Sequence, residues 1–303
     1  MYTILIAGGT GLIGQHLSKM LTDQGHTVHW LSRTADSNAP YKTFVWDVRK
    51  GEIDEAALSS ADFVLNFAGA GIADKRWTDN RKKLIIDSRV KGNQLLAKVL
   101  PQYPNVKAYI SASAIGYYGD RGTELLSEVA APGKKGFLAE SVVAWEKSIE
   151  EVAATGLRTV TVRIGIVLST KGGALEKLLL PFNFWLGIYF GNGEQIYSWI
   201  HIEDLCQMFI MAIENEKMKG VYNGAAPHPV TNKDFTEITA KALDKSALLV
   251  PSPSFAMRLA MGEMADVVLT GSNVTSDKIE GTGFRFEHPE LKSALQDLLT
   301  RKI

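Results

Sequence analysis

The sequence predicts an α/β protein built on a doubly wound parallel sheet, with a smaller lobe following it. Three observations predict it. Short β-branched or apolar runs alternate with amphipathic stretches through the first half of the chain, a glycine-rich turn joins the first run to the first helix, and this rhythm breaks after about residue 165. Residues 3–7 (TILIA) form the first apolar run, 12–24 an amphipathic helix, and 27–31 (TVHWL) the second strand. Further strands are expected at 43–46 (TFVW), 63–67 (FVLNF), 106–111 (VKAYIS) and 158–164 (RTVTVRI), with long helices near 79–100 and 138–155 and right-handed crossovers. The stretch STKGGALEKLLLPFNFWLGIYFGNGEQIYSW then mixes glycine with aromatics, which predicts an irregular lobe covering something. A helix over 203–215, a short strand near Val221, a helix over 232–243 and a closing helix around 290–299 complete the chain. With no repeat and no low-complexity linker, the lobe is expected to be stitched to the sheet rather than hung from a hinge. The division expected is a cofactor domain over 1–168 and a substrate-type lobe over 169–303.

Composition narrows the function. Lys plus Arg equals Asp plus Glu at 33 each, so no long-range field favours nucleic acid or an anionic membrane. The basic cluster Arg81-Lys82-Lys83 falls in a helical pattern and reads as a solvated face. No apolar run approaches the ~20 residues of a membrane span. One cysteine, Cys206, and an opening stretch with no basic leader or cleavage site fit a reducing, cytoplasmic setting. Six scattered histidines and a lone cysteine give no metal-ligand spacing. No nucleophile elbow and no Walker loop occurs.

The strongest motif is ILIAGGTGLIG, in which Gly8, Gly11 and Gly14 follow a strand and open a helix. Glycine permits the tight turn, lets backbone approach a pyrophosphate, and lets the helix pack close to the sheet. The amides over Gly8, Gly9, Thr10, Gly11, Leu12 and Ile13 then face a diphosphate with a favourable helix dipole. This makes the sheet a Rossmann sheet and the ligand a dinucleotide. At the end of the second strand an acidic residue would select NAD; WLSRTAD instead presents Ser32 and Arg33, whose donors and charge suit the 2′-phosphate of NADP(H). Asp36, three residues on, keeps the NAD alternative open.

Several motifs together resemble the extended short-chain dehydrogenase/reductases, the family of sugar-nucleotide epimerases and dehydratases. They are the glycine turn, the NFAG of residues 66–69, Ser111-Ala-Ser113, and Arg163 ending a later strand. RWT (76–78), SR (88–89), AIGYYGD (114–120), WIHIEDL (199–205) and GEM (262–264) look similar to its atypical epimerase-like branch, across essentially the whole chain. That resemblance implies a small further domain from about residue 250, a small-molecule substrate, and a possible homodimer. It also implies Asp47 by the adenine, Phe67, Ala68 and Gly69 by the adenosine ribose, Arg89 near the phosphates, and backbone through Val167 near the nicotinamide. The segments GSNVTSDKI, without an expected proline, and FWLGIYFGNG, poorer in glycine, depart from the branch.

The family uses a Ser or Thr, a Tyr and a Lys for proton transfer. Ser113 matches the first, but counting back from ATGLRTVTVRIG brings the Tyr-x-x-x-Lys positions to Phe137 and Ser141, which cannot exchange a proton near neutral pH. Two functional classes fit. In one, an NADP(H)-dependent oxidoreductase or epimerase-like enzyme uses Tyr117 or Tyr118 as acid/base beside Ser113, its pKa lowered by Lys83 or Arg76. An apolar pocket with a few polar anchors, from Trp77, Trp145, Phe184, Trp185, Tyr189, Gln195, Tyr197 and Trp199, would then take a carbonyl or sugar-like substrate. In the other, the chain binds NADP(H) as a sensor or regulatory module without turnover. His201 is expected to bridge loops structurally.

Overall fold

The protein is described from a computed structural model over residues 1–34 and 36–300. Its first half holds β1 (Thr3–Ala7), α1 (Leu12–Asp23), β2 (Thr27–Ser32), β3 (Lys42–Asp47), β4 (Glu52–Ile53), α2 (Glu55–Ser59), β5 (Phe63–Asn66), α3 (Asp79–Val99), β6 (Ala108–Ala114), β7 (Leu125–Leu126), α4 (Phe137–Ala153) and β8 (Thr159–Ile164). The second half holds β9 (Ile166–Leu168), α5 (Ala174–Leu179), β10 (Leu186–Phe190), β11 (Ile196–Tyr197), β12 (Trp199–His201), α6 (Ile202–Glu214), β13 (Gly220–Gly224), β14 (Val230–Thr231) and α7 (Asn232–Ala242). It closes with β15 (Leu248–Ser252), α8 (Ser254–Met261), α9 (Asp266–Leu269), β16 (Asn273–Val274), α10 (Asp277–Glu280) and α11 (Leu291–Thr300).

The main sheet runs β13-β8-β6-β5-β1-β2-β3-β4, parallel throughout except for the antiparallel β4 edge. Strand β1 is apolar on both faces because both are covered. Ile4 and Ile6 pack with Leu17 and Leu21 of α1 and Phe209 of α6, while Leu5 and Ala7 pack with Leu95 and Leu96 of α3 and Trp145 of α4. The chain moves outward from β1 through β2 and β3, then returns to β5 and moves the other way, so strand order reverses between β1 and β5. Ligands bind at such switch points, outside the carboxyl ends of the strands.

Strand β6 differs from expectation. Residues 106–107 lie outside it, since the Val106 amide turns back onto the Tyr103 carbonyl, and pairing instead runs on from Ser111 through Ala114, opposite Ile164. Ser-Ala-Ser-Ala has little strand propensity; its extended form is imposed by β8 along its length and by β5 at Ser111. The lobe is stitched to the sheet, as expected. Strand β13 joins the sheet edge beside β8, β9 pairs with β12, and β16 pairs with β7. The buried Asp204 carboxylate at the head of α6 accepts the amides of Glu287 and His288, fixing the segment that leads into α11.

The third glycine of the turn sets the distance between α1 and β1. A Cβ at Gly14 would collide with the Gly8 carbonyl and stand 2.7 Å from Gly9 Cα, backbone that no rotamer change can clear. Gly14→Ala is therefore expected to destabilise the fold by about 1–3 kcal/mol through overpacking, read as a lower midpoint in urea at unchanged m-value.

Candidate functional site

The glycine turn is built for close approach. Gly8 has φ +80°, and a Cβ on it would lie 2.8 Å from Ala68 N and Phe67 C at the end of β5. Gly11 N–H donates to the Gly8 carbonyl at 3.0 Å, and Gln15 Nε2 braces the Thr10 carbonyl at 2.6 Å. Gly11 caps α1 in an extended conformation without a side-chain hydrogen bond, so no side chain occupies the amide end of the helix at Leu12 and Ile13. Beneath the turn lies Trp30, which the sequence reading missed. Its Nε1–H donates to Ser18 Oγ (2.8 Å), Ser18 donates to the Gly14 carbonyl (2.6 Å), and a Cβ on Gly9 would run into its indole ring. A tryptophan two residues before Ser32, in phase with the inward face of β2, was the available signal.

Around the turn, Ser32 and Asp47 end β2 and β3, Phe67 to Gly69 follow β5, and Arg89 and Val167 lie in α3 and β9. Ser32 ends β2 half-buried; Arg33 follows it, exposed and, among the described residues, without an ion-pair partner. Asp36 receives the Asn38 amide at 2.9 Å, and Asp47, ending β3, receives those of Arg49 (2.8 Å) and Lys50 (3.3 Å). The Arg49 amide is the largest cause that holds the Asp47 carboxyl below its ordinary pKa. Phe67 is set edge-on to Phe209 at 4.8 Å between ring centroids. Arg89 closes on Gly69 from α3, where Nη1 donates to the carbonyls of Ala70 and Ile85 at 3.0 Å each and the guanidinium lies 4.9 Å from the Trp145 ring. Burial, then the charge of Arg81, pulls its pKa to about 10, which leaves it cationic at neutral pH. Its neighbour Ser88 accepts the Ala70 amide at 2.9 Å. Val167 is half-buried in β9, opposite Ile200 of β12.

The proton-transfer side departs from expectation. Ser113 is 2% exposed, and its hydroxyl donates to Glu146 Oε1 of α4 at 2.5 Å. Glu146 is gripped by Arg163 through Nε (2.8 Å) and Nη2 (2.7 Å). Burial alone would lower the Arg163 pKa; the hydrogen bonds and charge of Glu146 outweigh it, and the pKa rises. Tyr118, expected to face the crevice, is fully buried instead: its Oη donates to Asn223 Oδ1 (2.7 Å) and accepts from Arg163 Nη1 (2.9 Å). Burial raises its pKa against the opposing pull of Arg163. Tyr117 is half-buried, and the cation on its ring face is Arg163, 3.5 Å from the ring centroid, rather than Lys83 or Arg76. Arg163 is the motif residue that the sequence places at the end of a strand, here β8; its role as the cation facing the tyrosines is what the sequence did not show. Phe137, at the first turn of α4, packs edge-on to Trp77 at 4.8 Å; Ser141 is buried and bonded to the Leu138 carbonyl.

The aromatics do not gather in one pocket. Trp145 and Trp199 are core residues, whereas Phe184 and Trp185 are 74% and 66% exposed. His201 is structural, but it joins helices rather than loops: Nδ1 accepts the Glu203 amide as the N-cap of α6, and Nε2 lies 3.4 Å from Asp297 of α11.

A family model described as the NAD-dependent epimerase/dehydratase family matches residues 4–225, and a domain of unknown function, DUF1731, matches 252–298. The chain belongs to the NAD-dependent epimerase/dehydratase family. Among its relatives, the epimerase family protein YfhF of Bacillus subtilis is 37% identical over 298 residues, covering 98% of this chain and 97% of that one. The human epimerase family protein SDR39U1, solved with NADPH, superposes with a TM-score of 0.88 at 31% identity over 98% and 99% of the two chains. A Bacillus cereus UDP-glucuronic acid 4-epimerase, solved with UDP-glucuronic acid and NAD, shares the fold at TM-score 0.80 and 17% identity. The glycine turn, the β5 end and the reversal at β1 are thus parts of an NAD(P)-binding epimerase fold. Among the described residues no helix is long and apolar enough to cross a membrane.

Two consequences of this family member's buried polar groups are measurable. Glu146→Ala leaves Arg163 charged and unpaired in the core, so a loss of about 3–5 kcal/mol in denaturant-measured stability is expected. Burial also pushes Tyr109 up to about 12 and raises Tyr118 and Tyr197. Because these folded-state pKa values lie above the unfolded value near 10, their stability contribution is complete below pH 10 and is lost as pH rises through the folded values. Alkaline titration at 295 nm is expected to show Tyr109, Tyr118 and Tyr197 among the late-ionising tyrosines, with stability falling as pH rises above ~10.

Proposed function

We propose that the protein is an NADP(H)-dependent oxidoreductase or epimerase-like enzyme acting on a carbonyl- or hydroxyl-bearing, sugar-like small molecule. The observation that carries this reading is the glycine cradle, closed against the β5 end where a side chain would fill it, with Arg33 exposed beside Ser32 at the end of β2, the strand end that in this fold lies by the ribose 2′ position. The amides from Gly8 to Ile13 hold the diphosphate, Ser32 and Arg33 hold the 2′-phosphate, and Asp47 borders the adenine. Phe67, Ala68 and Gly69 wall the ribose, Arg89 supports the phosphates, and backbone through Val167 flanks the nicotinamide. When bound, the cofactor supplies hydride donation and acceptance. NADPH bound to human SDR39U1 supports the phosphorylated form.

The chain's own residues move the proton. Ser113 has committed its only hydrogen to Glu146, so it keeps the β6 end in register while Tyr117, four residues on, is the group whose hydroxyl exchanges a proton with the substrate oxygen. The Arg163 guanidinium on the Tyr117 ring face holds that ring in place at the end of β6. A second reading, an NADP(H) sensor without turnover, is favoured by one observation: the hydroxyls of Ser113 and Tyr118 are both consumed by a buried network.

Arg33→Ala is expected to weaken NADPH binding about tenfold or more, the worth of one charge-assisted hydrogen bond, and to leave NADH binding unchanged; equal losses in calorimetry overturn the 2′-phosphate assignment. Single-turnover mixing of the NADPH complex with aldehydes and ketones, and of the NADP⁺ complex with nucleotide sugars, separates the two readings. Cofactor oxidation or reduction that disappears in Tyr117→Phe supports the enzyme, whereas tight binding with no redox change across both panels supports the sensor.

A further inference from the structure

A second buried polar network links α3 and α4 to the cofactor side of the sheet, and it involves none of the groups assigned above to proton transfer. It begins at the turn after β5. The Asn66 side chain, 3% exposed, accepts the Ala68 amide through Oδ1 at 3.0 Å and so fixes the turn that abuts Gly8. Its Nδ2 donates to Asn93 Oδ1 of α3 at 2.8 Å and to Tyr109 Oη of β6 at 3.0 Å. Tyr109 Oη donates in turn to Asn93 Oδ1 at 2.6 Å. Asn93 Nδ2 donates to Ser148 Oγ of α4 at 2.8 Å, and Ser148 closes the chain on the Trp145 carbonyl at 2.6 Å. Asn93 and Tyr109 are fully buried and Ser148 is 1% exposed, so these bonds have no water to replace them. The far end returns to the same turn from outside, because the Trp145 ring carries Arg89, whose guanidinium holds the Ala70 carbonyl.

We infer that Asn93, with Ser148 behind it, is a positioning residue for the nucleotide: through Asn66 it fixes the Ala68 amide, and hence the ribose wall against which the glycine turn closes. This rests on the NADP(H) reading above. The physical reason is directional. Asn66 can present Oδ1 to Ala68 in only one flip state, and that state is set by Asn93 Oδ1 and Tyr109 Oη accepting from Nδ2. With Asn93 gone, one Nδ2 hydrogen of Asn66 loses its acceptor inside the core, and the flipped amide, which offers Ala68 no acceptor, comes within reach. A turn that must be ordered on binding lowers affinity without any contact to the ligand being removed.

The test is NADPH calorimetry on the full chain together with native-state amide exchange at Ala68. Asn93→Ala is expected to raise the NADPH Kd about tenfold and Ser148→Ala, the milder variant, about threefold, both with faster exchange at Ala68. The control is Asn105→Ala, which removes a side chain bonded to the carbonyls of Leu58 and Ala61 at the opposite end of the sheet. It is expected to lower the melting temperature while leaving Kd within twofold and Ala68 exchange unchanged. Wild-type affinity in Ser148→Ala and Asn93→Ala despite lowered melting temperatures, or an equal Kd rise in Asn105→Ala, overturns the inference. Should Asn93→Ala fail to fold, Ser148→Ala alone decides. A wild-type protein that binds no NADPH sinks the cofactor reading instead, and Ala68 exchange still reports whether the hydrogen-bond chain holds the turn.

Discussion

Between Gly8 and the Phe67–Ala68 peptide there is no room for one additional carbon, and the arrangement of the nucleotide side follows from that contact. It brings the first turn of the chain onto the end of β5, across the line where strand order reverses, and so creates a crevice edged by backbone rather than by side chains. Backbone amides in fixed positions cost no rotamer entropy when a phosphate arrives, which long cationic side chains would. The same closeness explains the supports around it. Trp30 and Ser18 brace the turn from below, while Asn66, Ser88 and Arg89 hold the facing peptide from behind. A crevice made of main chain stays rigid only if the side chains outside it are locked.

The second organising interaction is the Glu146–Arg163 pair. Both groups are nearly inaccessible to water, so each charge is tolerable only because the other meets it with two hydrogen bonds. Once in place the pair dictates its neighbours: Ser113 must donate to Glu146, Tyr118 must accept from Arg163, and the Tyr117 ring is left to cover the guanidinium. Hydroxyls that lie at the end of β6 are thereby sorted into buried and half-buried roles by one charge pair. The chemistry available to the crevice narrows accordingly.

The parts of this organisation that depend on local pattern were legible in the sequence. Alternation of apolar runs and amphipathic stretches located the strands of the sheet core, because a strand buried on both faces has no freedom in composition. The glycine spacing located the cradle for the same kind of reason. What depends on contact between distant segments was not legible. Nothing in YISASA marks Ser113 as facing Glu146, 33 residues away, and Tyr118 differs from Tyr117 only by the direction in which a short 3-10 turn throws each ring. The irregular lobe was foreseen as irregular, but its two-residue strands exist only by pairing with partners such as β7 with β16, about 150 residues apart in sequence, which period-based reading cannot supply.

The fate of the missing Tyr-x-x-x-Lys pair can be argued from what now surrounds Phe137. Its ring packs edge-on against Trp77 of the RWT segment, and Lys82 lies 5.5 Å from the ring centroid while pairing with Glu263 of the GEM segment. Gly262, at φ +64°, comes close enough to Arg76 that a Cβ would stand 3.1 Å from its Nε. Segments far apart in the chain therefore meet around Phe137, the position to which the family resemblance assigns a tyrosine. A tyrosine here would need its hydroxyl beside an ammonium already committed to Glu263, and a lysine at 141 would have to displace a buried serine bonded to its own helix. Phe137 is thus a packing residue, set against Trp77 and Lys82, and it is Lys82 and Arg76 that meet the C-terminal segment at Glu263 and Gly262.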